Sequence, residues 1–311
     1  MVRRYCSLLL VAAAGLLLTA GFAFGYTFPD AWVYDGLITY DHGGMPIVPE
    51  ALHFNVGAGY WTATEFYNED GDVEDSSFDT SVIAVPIDIG YAINDRILVD
   101  VTLQILSIDM TPDPGVSTYP DTSAMGLGDV WIKGRYIAPL GNDLYMGGRL
   151  GVKIPVGKVE YDMTQWEPPL GDDQMDIDVA LVAAKYPGAG FAMNGQVGFR
   201  YRMDATVEEM GNEYSYTPGT LIYVDVAPGY SMGPTNFQVY VPIGYEMTTA
   251  SKFEGTENED SETSGLYAGV APKYGIDANN TVGFKFLYPL MGKNVSKSMM
   301  FGVTYEGYLP L

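Results

Sequence analysis

From residue 52 onward the chain alternates apolar and polar side chains one residue at a time, segment after segment. Successive side chains of a strand point to opposite faces, so each segment reads as a strand with one oily face and one wet face. Leu52, Phe54, Val56, Ala58 and Tyr60 share the oily face of the first run, and Phe191, Met193, Val197, Phe199 and Tyr201 that of a later one. The pattern predicts twelve strands, over about 52–61, 80–92, 96–108, 126–139, 144–157, 175–186, 191–203, 220–231, 236–249, 264–275, 281–291 and 298–308. Aromatic residues gather toward the ends of these runs, where a membrane β-barrel places its interfacial girdles.

The connections alternate in length. Asn94-Asp95, Gly141-Asn142-Asp143, 187–190, 233–236 and 277–280 are short and turn-like, whereas 62–79, 109–125, 158–174, 204–219 and 250–263 are long and polar. An even strand number with long and short connections in turn predicts an all-β fold: a single closed antiparallel transmembrane barrel, with short periplasmic turns and long acidic extracellular loops. Closure is a physical requirement in lipid, because an open sheet edge would leave N–H and C=O groups unpaired. A soluble sandwich also alternates, but it has no reason to sort its connections by length.

The start of the chain sets the compartment. Arg3 and Arg4 precede an apolar run, Leu8 to Leu18, followed by Ala23-Phe24-Gly25, which predicts a signal peptide over 1–25. Residues 26–51 are then an N-terminal segment, either a periplasmic tail or a plug folded into the lumen, and 52–311 form the barrel. The one cysteine, Cys6, falls in the leader, so packing and backbone pairing must supply stability without disulfides. The 37 Gly and 24 Tyr suit strands and turns. A net charge of −23 argues against a nucleic-acid partner.

One short stretch, residues 126–157, concentrates Lys133, Arg135, Arg149 and Lys153 in an otherwise apolar sequence. Alternation explains it. Val130, Ile132, Tyr136 and Ala138 share the lipid face of one strand, which sends Asp129, Trp131, Lys133 and Arg135 to the lumen. A three-residue turn at Gly141–Asp143 then sets Arg135 opposite Arg149 and Trp131 opposite Lys153. Two guanidinium groups side by side need acids, water or an anionic ligand, and Asp100 and Asp129 are the expected acids. The same sorting gives an inward set of Arg96, Asp100, Asp129, Lys133, Arg135, Arg149, Lys153, Arg200, Arg202 and Asp225. This set either solvates a filled interior or forms a selective constriction. Asp88, Glu246, Lys273, Lys285 and Glu306 also face inward. Lys185 is an exception beside a short turn, where its long stem can snorkel.

Pro86, Pro155, Pro228, Pro242, Pro272 and Pro289 fall in or near predicted strands, and each implies a bulge, a kink or a strand end. They either trim strands at the interfaces or open a gap in the wall through which an apolar solute passes sideways into lipid. Acids dominate the long loops. A solvated outer surface accounts for them, as does a divalent-cation layer bridging to lipopolysaccharide. Asp70, Asp72 and Glu74 lack the rest of a calcium loop, so no metal site is assigned.

Gly126-Leu127-Gly128-Asp129, the hairpin after it and Lys153-Ile154-Pro155-Val156-Gly157 resemble the phenol meta-cleavage-pathway outer-membrane, transporter-like β-barrel family. The specific match covers some thirty residues, and a looser one most of the chain. The resemblance implies an outer-membrane barrel linked to uptake of hydrophobic or aromatic compounds. One departure is the end of the chain, where Tyr308 is followed by Leu309, Pro310 and Leu311 rather than a terminal aromatic.

The expected function is therefore passive passage of small hydrophobic or aromatic molecules across the outer membrane of a Gram-negative bacterium, with outer-membrane lipids and lipopolysaccharide as neighbours. The alternative is a structural or general-diffusion barrel without a dedicated ligand. An enzyme is not expected: beyond the leader only His42 and His53 could act as imidazole bases, and no serine can be placed beside either. No phosphate-binding glycine loop, Cys/His cluster or haem motif is present, so no cofactor is expected.

Overall fold

The computed structural model describes residues 47–112, 121–158, 168, 170–209, 212–232 and 236–311. The expected signal peptide 1–25 and most of the segment 26–51, with His42, lie outside the described residues. Twelve wall strands follow in order: β1 Ala51–Tyr67, β2 Val73–Ala92, β3 Ile97–Pro112, β4 in two pieces (Thr122–Leu127 and Val130–Gly141), β5 Leu144–Ile154 and β6 Asp176–Gly188. They continue as β7 Phe191–Arg202, β8 Leu221–Ser231, β9 in two pieces (Phe237–Tyr240 and Ile243–Thr248), β10 Thr263–Gly275, β11 Asn280–Lys293 and β12 Met299–Pro310.

Each strand pairs antiparallel with its sequence neighbours, and β1 pairs with β12 from Ala51↔Pro310 to Thr62↔Met299. That pairing closes the sheet into a barrel. The burial pattern alternates as the sequence predicts: on β3, Asp100, Thr102 and Gln104 are buried while Val99, Val101 and Ile105 are exposed. The exposed side chains form an apolar belt around the wall. Tyr91, Tyr136, Phe191, Tyr230 and Tyr274 border it near the short turns, and Tyr60, Tyr201, Tyr245 and Tyr288 near the other end. A lipid-facing band between two aromatic girdles is the surface a bilayer requires.

The short turns show why register holds. Gly141, Asn142 and Asp143 have φ of 87°, 51° and 55°, the left-handed region that Gly, Asn and Asp tolerate best. This turn sets Arg135 opposite Arg149 and Trp131 opposite Lys153, as expected. At the turn after β10, the Asp277 carboxylate accepts the Asn279 N–H at 2.8 Å and an Asn280 amide hydrogen at 2.8 Å. These bonds hold its pKa below the usual carboxylate value. Lys185 donates to the Asn142 carbonyl at the rim, the snorkelling expected of it.

The outer ends depart from the expected loop boundaries. Much of 62–79 is strand: β1 runs to Tyr67 and β2 starts at Val73. Asn68 Oδ1 closes this hairpin by accepting the N–H groups of Asp70 and Asp72 at 3.0 and 2.9 Å. Above the lipid the outward positions become polar, as at Ser77, Asp79 and Asp109, so the apolar signal fades while the ladder continues. Residues Ala205–Glu209, Asn212–Thr217, Ser251–Phe253 and Thr256–Asn258 form a separate four-stranded sheet within the long connections.

The prolines sit at local defects. Pairing of β1 with β2 skips from Val56↔Ile87 to Gly59↔Ala84 beside Pro86. The β8–β9 and β9–β10 ladders skip at Pro228 and Pro242, but Val241 N–H still bonds the Pro228 carbonyl at 2.8 Å and Gly269 N–H the Pro242 carbonyl at 2.9 Å. Pro272 lies in a similar skip between β10 and β11, and Pro289 stands beside a register shift. Pro155 differs, because β5 ends there.

The alternation is open to a direct check. Nitroxide labels placed singly along 144–154 are expected to relax fastest with molecular oxygen at 146, 150, 152 and 154, and to show minima at 149, 151 and 153. A flat profile would contradict the barrel.

Candidate functional site: the charged lumen and the break in the wall

The inward residues of β3 to β8 form a belt of paired charges. Arg135 and Arg149 face each other across β4 and β5, yet each turns away to its own acid. Arg135 meets Asp100 on β3 at 3.2 Å, and Arg149 meets Asp178 on β6 at 2.9 Å. All four side chains are at most 3% exposed. Buried charges persist only when paired and hydrogen-bonded, so this arrangement removes the like-charge conflict of the register.

Around Arg149 the network branches. Its guanidinium also donates to the Tyr223 hydroxyl at 2.6 Å and to Gln196 Oε1 at 3.3 Å. Tyr223 donates to Asp178, and Gln196 donates to Asp225 at 2.7 Å. Arg200 approaches Asp178 at 3.4 Å and lies 4.4 Å from the Trp131 ring, with Lys133 on the same ring at 6.0 Å. Arg202 is buried opposite Asp176. On the other side of the barrel Lys273 pairs with Glu306 at 3.1 Å.

Nine of the ten expected lumen residues are therefore buried on the inner face. Arg96 is not: it belongs to the turn before β3, its side chain is half exposed, and it lies 4.0 Å from Asp95. Its parity is inward, but the strand has ended, so the side chain reaches water at the rim. Asp129 also departs from its expected role. It does not serve the arginines; it lies 3.9 Å from Lys153 and accepts the N–H groups of Val156 and Gly157 at 3.1 and 3.0 Å. Asp178 takes the place expected of it. Asp176 and Asp178 alternate on a predicted strand and were legible as inward acids, and Tyr223 shares the inward parity of Asp225; Asp172 had no such signal.

Tyr223 owes its position to a glycine. It pairs across the ladder with Gly198, where an added Cβ would stand 2.4 Å from the tyrosine hydroxyl. Tyr240 over Gly229 and Phe54 over Gly307 repeat this cross-strand arrangement. An aromatic ring lying over a glycine fills the space its missing side chain leaves.

Among the described residues, the pairing of β4 with β5 ends beside the belt. Between the pairs Thr102↔Trp131 and Ile105↔Leu127, β3 spends two residues and β4 three, a bulge at Gly128, Asp129 and Val130. Above it Thr122–Leu127 pairs with β3, while the β4–β5 ladder stops at Val130↔Ile154. Leu170 packs on the inner side of this place and is 3% exposed. A Cβ on Gly126 would stand 2.8 Å from its side chain, and one on Gly128 3.3 Å from its carbonyl. Leu170 belongs to the same buried apolar cluster as Trp61, Val82, Leu106, Leu287 and Met300, which lie toward the outer end of the lumen on β1, β2, β3, β11 and β12. Leu170 thus joins a contiguous apolar cluster inside the barrel, next to the end of the β4–β5 ladder.

A closed twelve-stranded barrel with an apolar belt, girdles and a polar lumen defines an outer-membrane β-barrel protein. Residues 97–305 match the family described as "Putative MetA-pathway of phenol degradation", and the chain belongs to that family. Among solved structures, an outer membrane channel from Pseudomonas putida F1 superposes with a TM-score of 0.74 at 14% identity, over 86% of this chain and 98% of that one. The NanC porin has a TM-score of 0.47 at 7% identity, over 82% and 98% of the two chains. The CymD monoaromatic hydrocarbon channel has 0.43 at 11% identity, over 85% and 89%. No curated protein matches the sequence.

Two measurements test the belt. Gly198→Ala is expected to push Tyr223 off Arg149 and Asp178 and to lower unfolding stability by about 1–3 kcal/mol, read from the urea midpoint of the barrel. Arg135→Ala is expected to cost about 3–5 kcal/mol by stranding Asp100, and Arg135→Ala with Asp100→Ala to cost less than Arg135→Ala alone.

Proposed function

We propose that the protein is a passive outer-membrane channel for small hydrophobic or aromatic compounds, and that they cross its wall between β4 and β5. The end of the β4–β5 ladder at Leu170 carries this reading. The described pairing stops there, beside an apolar cluster inside the barrel that includes Leu170. A solute that partitions into lipid gains from leaving sideways, because it need not cross the charged belt into water. The family description, which names phenol degradation, supports an aromatic cargo, and the Pseudomonas putida F1 protein of the same fold is described as an outer membrane channel.

The belt argues against general diffusion. A wide aqueous pore leaves its lining charges in water, whereas Arg135, Arg149, Lys153 and Asp100 are at most 4% exposed. A non-enzymatic role fits the same interior. His53 is buried against the Tyr308 ring at 4.4 Å near the periplasmic end, away from Leu170. In this reading residues 1–25 are removed as a signal peptide, and the acidic outer rim at Asp70, Asp72 and Glu257 adjoins lipopolysaccharide.

Proteoliposomes with lipopolysaccharide in the outer leaflet test the proposal. Transfer of a neutral monoaromatic compound is expected to rise with protein content, while sugar-driven swelling stays at the protein-free level. Swelling graded by sugar size, with no aromatic transfer, would refute it in favour of general diffusion.

A further inference from the structure

The tripeptide Leu-Gly-Asp occurs twice in this chain, at 127–129 and at 170–172, and both aspartates reach the same lysine. Lys153 is the last inward residue of β5. Its ammonium contacts Asp172, lies 2.8 Å from Asp176 and is 3.9 Å from Asp129. These acids come from three different parts of the chain: Asp129 from the β4 bulge, Asp172 from the connection after β5, and Asp176 from the first position of β6. Lys153 and the three carboxylates are at most 7% exposed.

The residues between these contacts pack closely against the bulge. Leu170 lies against the inner side of Gly126. Gly171 passes so close to the bulge that a Cβ on it would stand 2.7 Å from Asp129 Oδ1 and 2.8 Å from the Gly157 Cα. Asp172 follows and also caps its own turn, accepting the Gln174 N–H at 3.1 Å. Three consecutive residues thus pack against the bulge, follow its edge and anchor to Lys153. Asp129 meanwhile ties the bulge to the chain just past Pro155 through Val156 and Gly157.

We propose that Lys153 is the latch of the lateral passage: it positions Leu170 by holding Asp172 and Asp129 on one ammonium, and its loss frees Leu170 to leave the bulge. The physical reason is the sign of what remains. Without the ammonium, Asp129 and Asp172 confront each other in a site with little water, and like charges there repel strongly. Residues 170–172 belong to no strand of the wall, so they yield before the bulged ladder does. Arg200 and Arg202 lie nearby on β7, yet Arg200 is engaged with Asp178 and Arg202 stands opposite Asp176. The latch rests on the lateral route proposed above and assigns residues to its control.

The test separates the latch from that route. A bimane label at Ala124→Cys, on the inner side of the upper β4 piece, reports contact with lipid chains through quenching by chain-attached nitroxide. Quenching is expected to be low in the labelled parent and in Lys153→Arg, and to rise in Lys153→Met toward the level of Leu170→Ala. Heat-modifiable migration on gels verifies the fold of each variant, and Lys153→Gln replaces Lys153→Met if the latter does not fold. Parent-level quenching in the folded latch variant overturns the latch, whether or not Leu170→Ala raises it. Raised quenching with unchanged aromatic transfer upholds the latch and refutes the lateral route instead.

Discussion

In hydrocarbon an N–H or C=O group without a partner costs several kcal/mol, and the rest of this structure depends on that penalty. It obliges the sheet to close at β1 and β12, so that each of the twelve strands pairs on both sides. It also explains how prolines within the wall are accommodated. Where Pro228 and Pro242 interrupt the ladder, neighbouring backbone bonds bridge the skip. Where the described β4–β5 pairing ends, at Val130↔Ile154, other groups take over: the Asp129 carboxylate accepts the two N–H groups after Pro155, and Leu170 packs beside them on the inner side.

The interior solves a second problem of solvation. A lumen lined by ionic side chains is stable if water fills it or if the charges satisfy one another. Here they satisfy one another, through Arg135–Asp100, Arg149–Asp178 and Lys273–Glu306. Such pairs contribute little net stability relative to an apolar core, but each member is costly to strand. The belt therefore fixes geometry. Beside it, Trp61, Val82, Leu106 and Met300 form an apolar cluster that includes Leu170.

Much of this was legible before any coordinates. The strand count, the inward and outward faces, the Arg135–Arg149 register and the snorkelling of Lys185 all follow from period two and turn length. The outer strand ends did not, because β1 and β2 continue above the lipid, where Ser77 and Asp79 face water and the apolar signal is lost. Arg96 misled for a related reason: parity assigns a direction, but not whether the strand still has a lumen beside it. Asp172 was illegible because it lies in an irregular segment where no period applies.

The sequence alone determined which solvent each wall residue meets, since oil on one face and water on the other imposes alternation over every membrane-crossing strand. Only the tertiary structure decided which acid each base chooses and which proline ends a ladder. Those choices depend on register and side-chain direction between strands. Asp178 lies 29 residues from Arg149 on the neighbouring β6, whereas Tyr223 lies 74 residues away on β8, and the curvature of the sheet from β5 to β8 brings its hydroxyl to the same guanidinium.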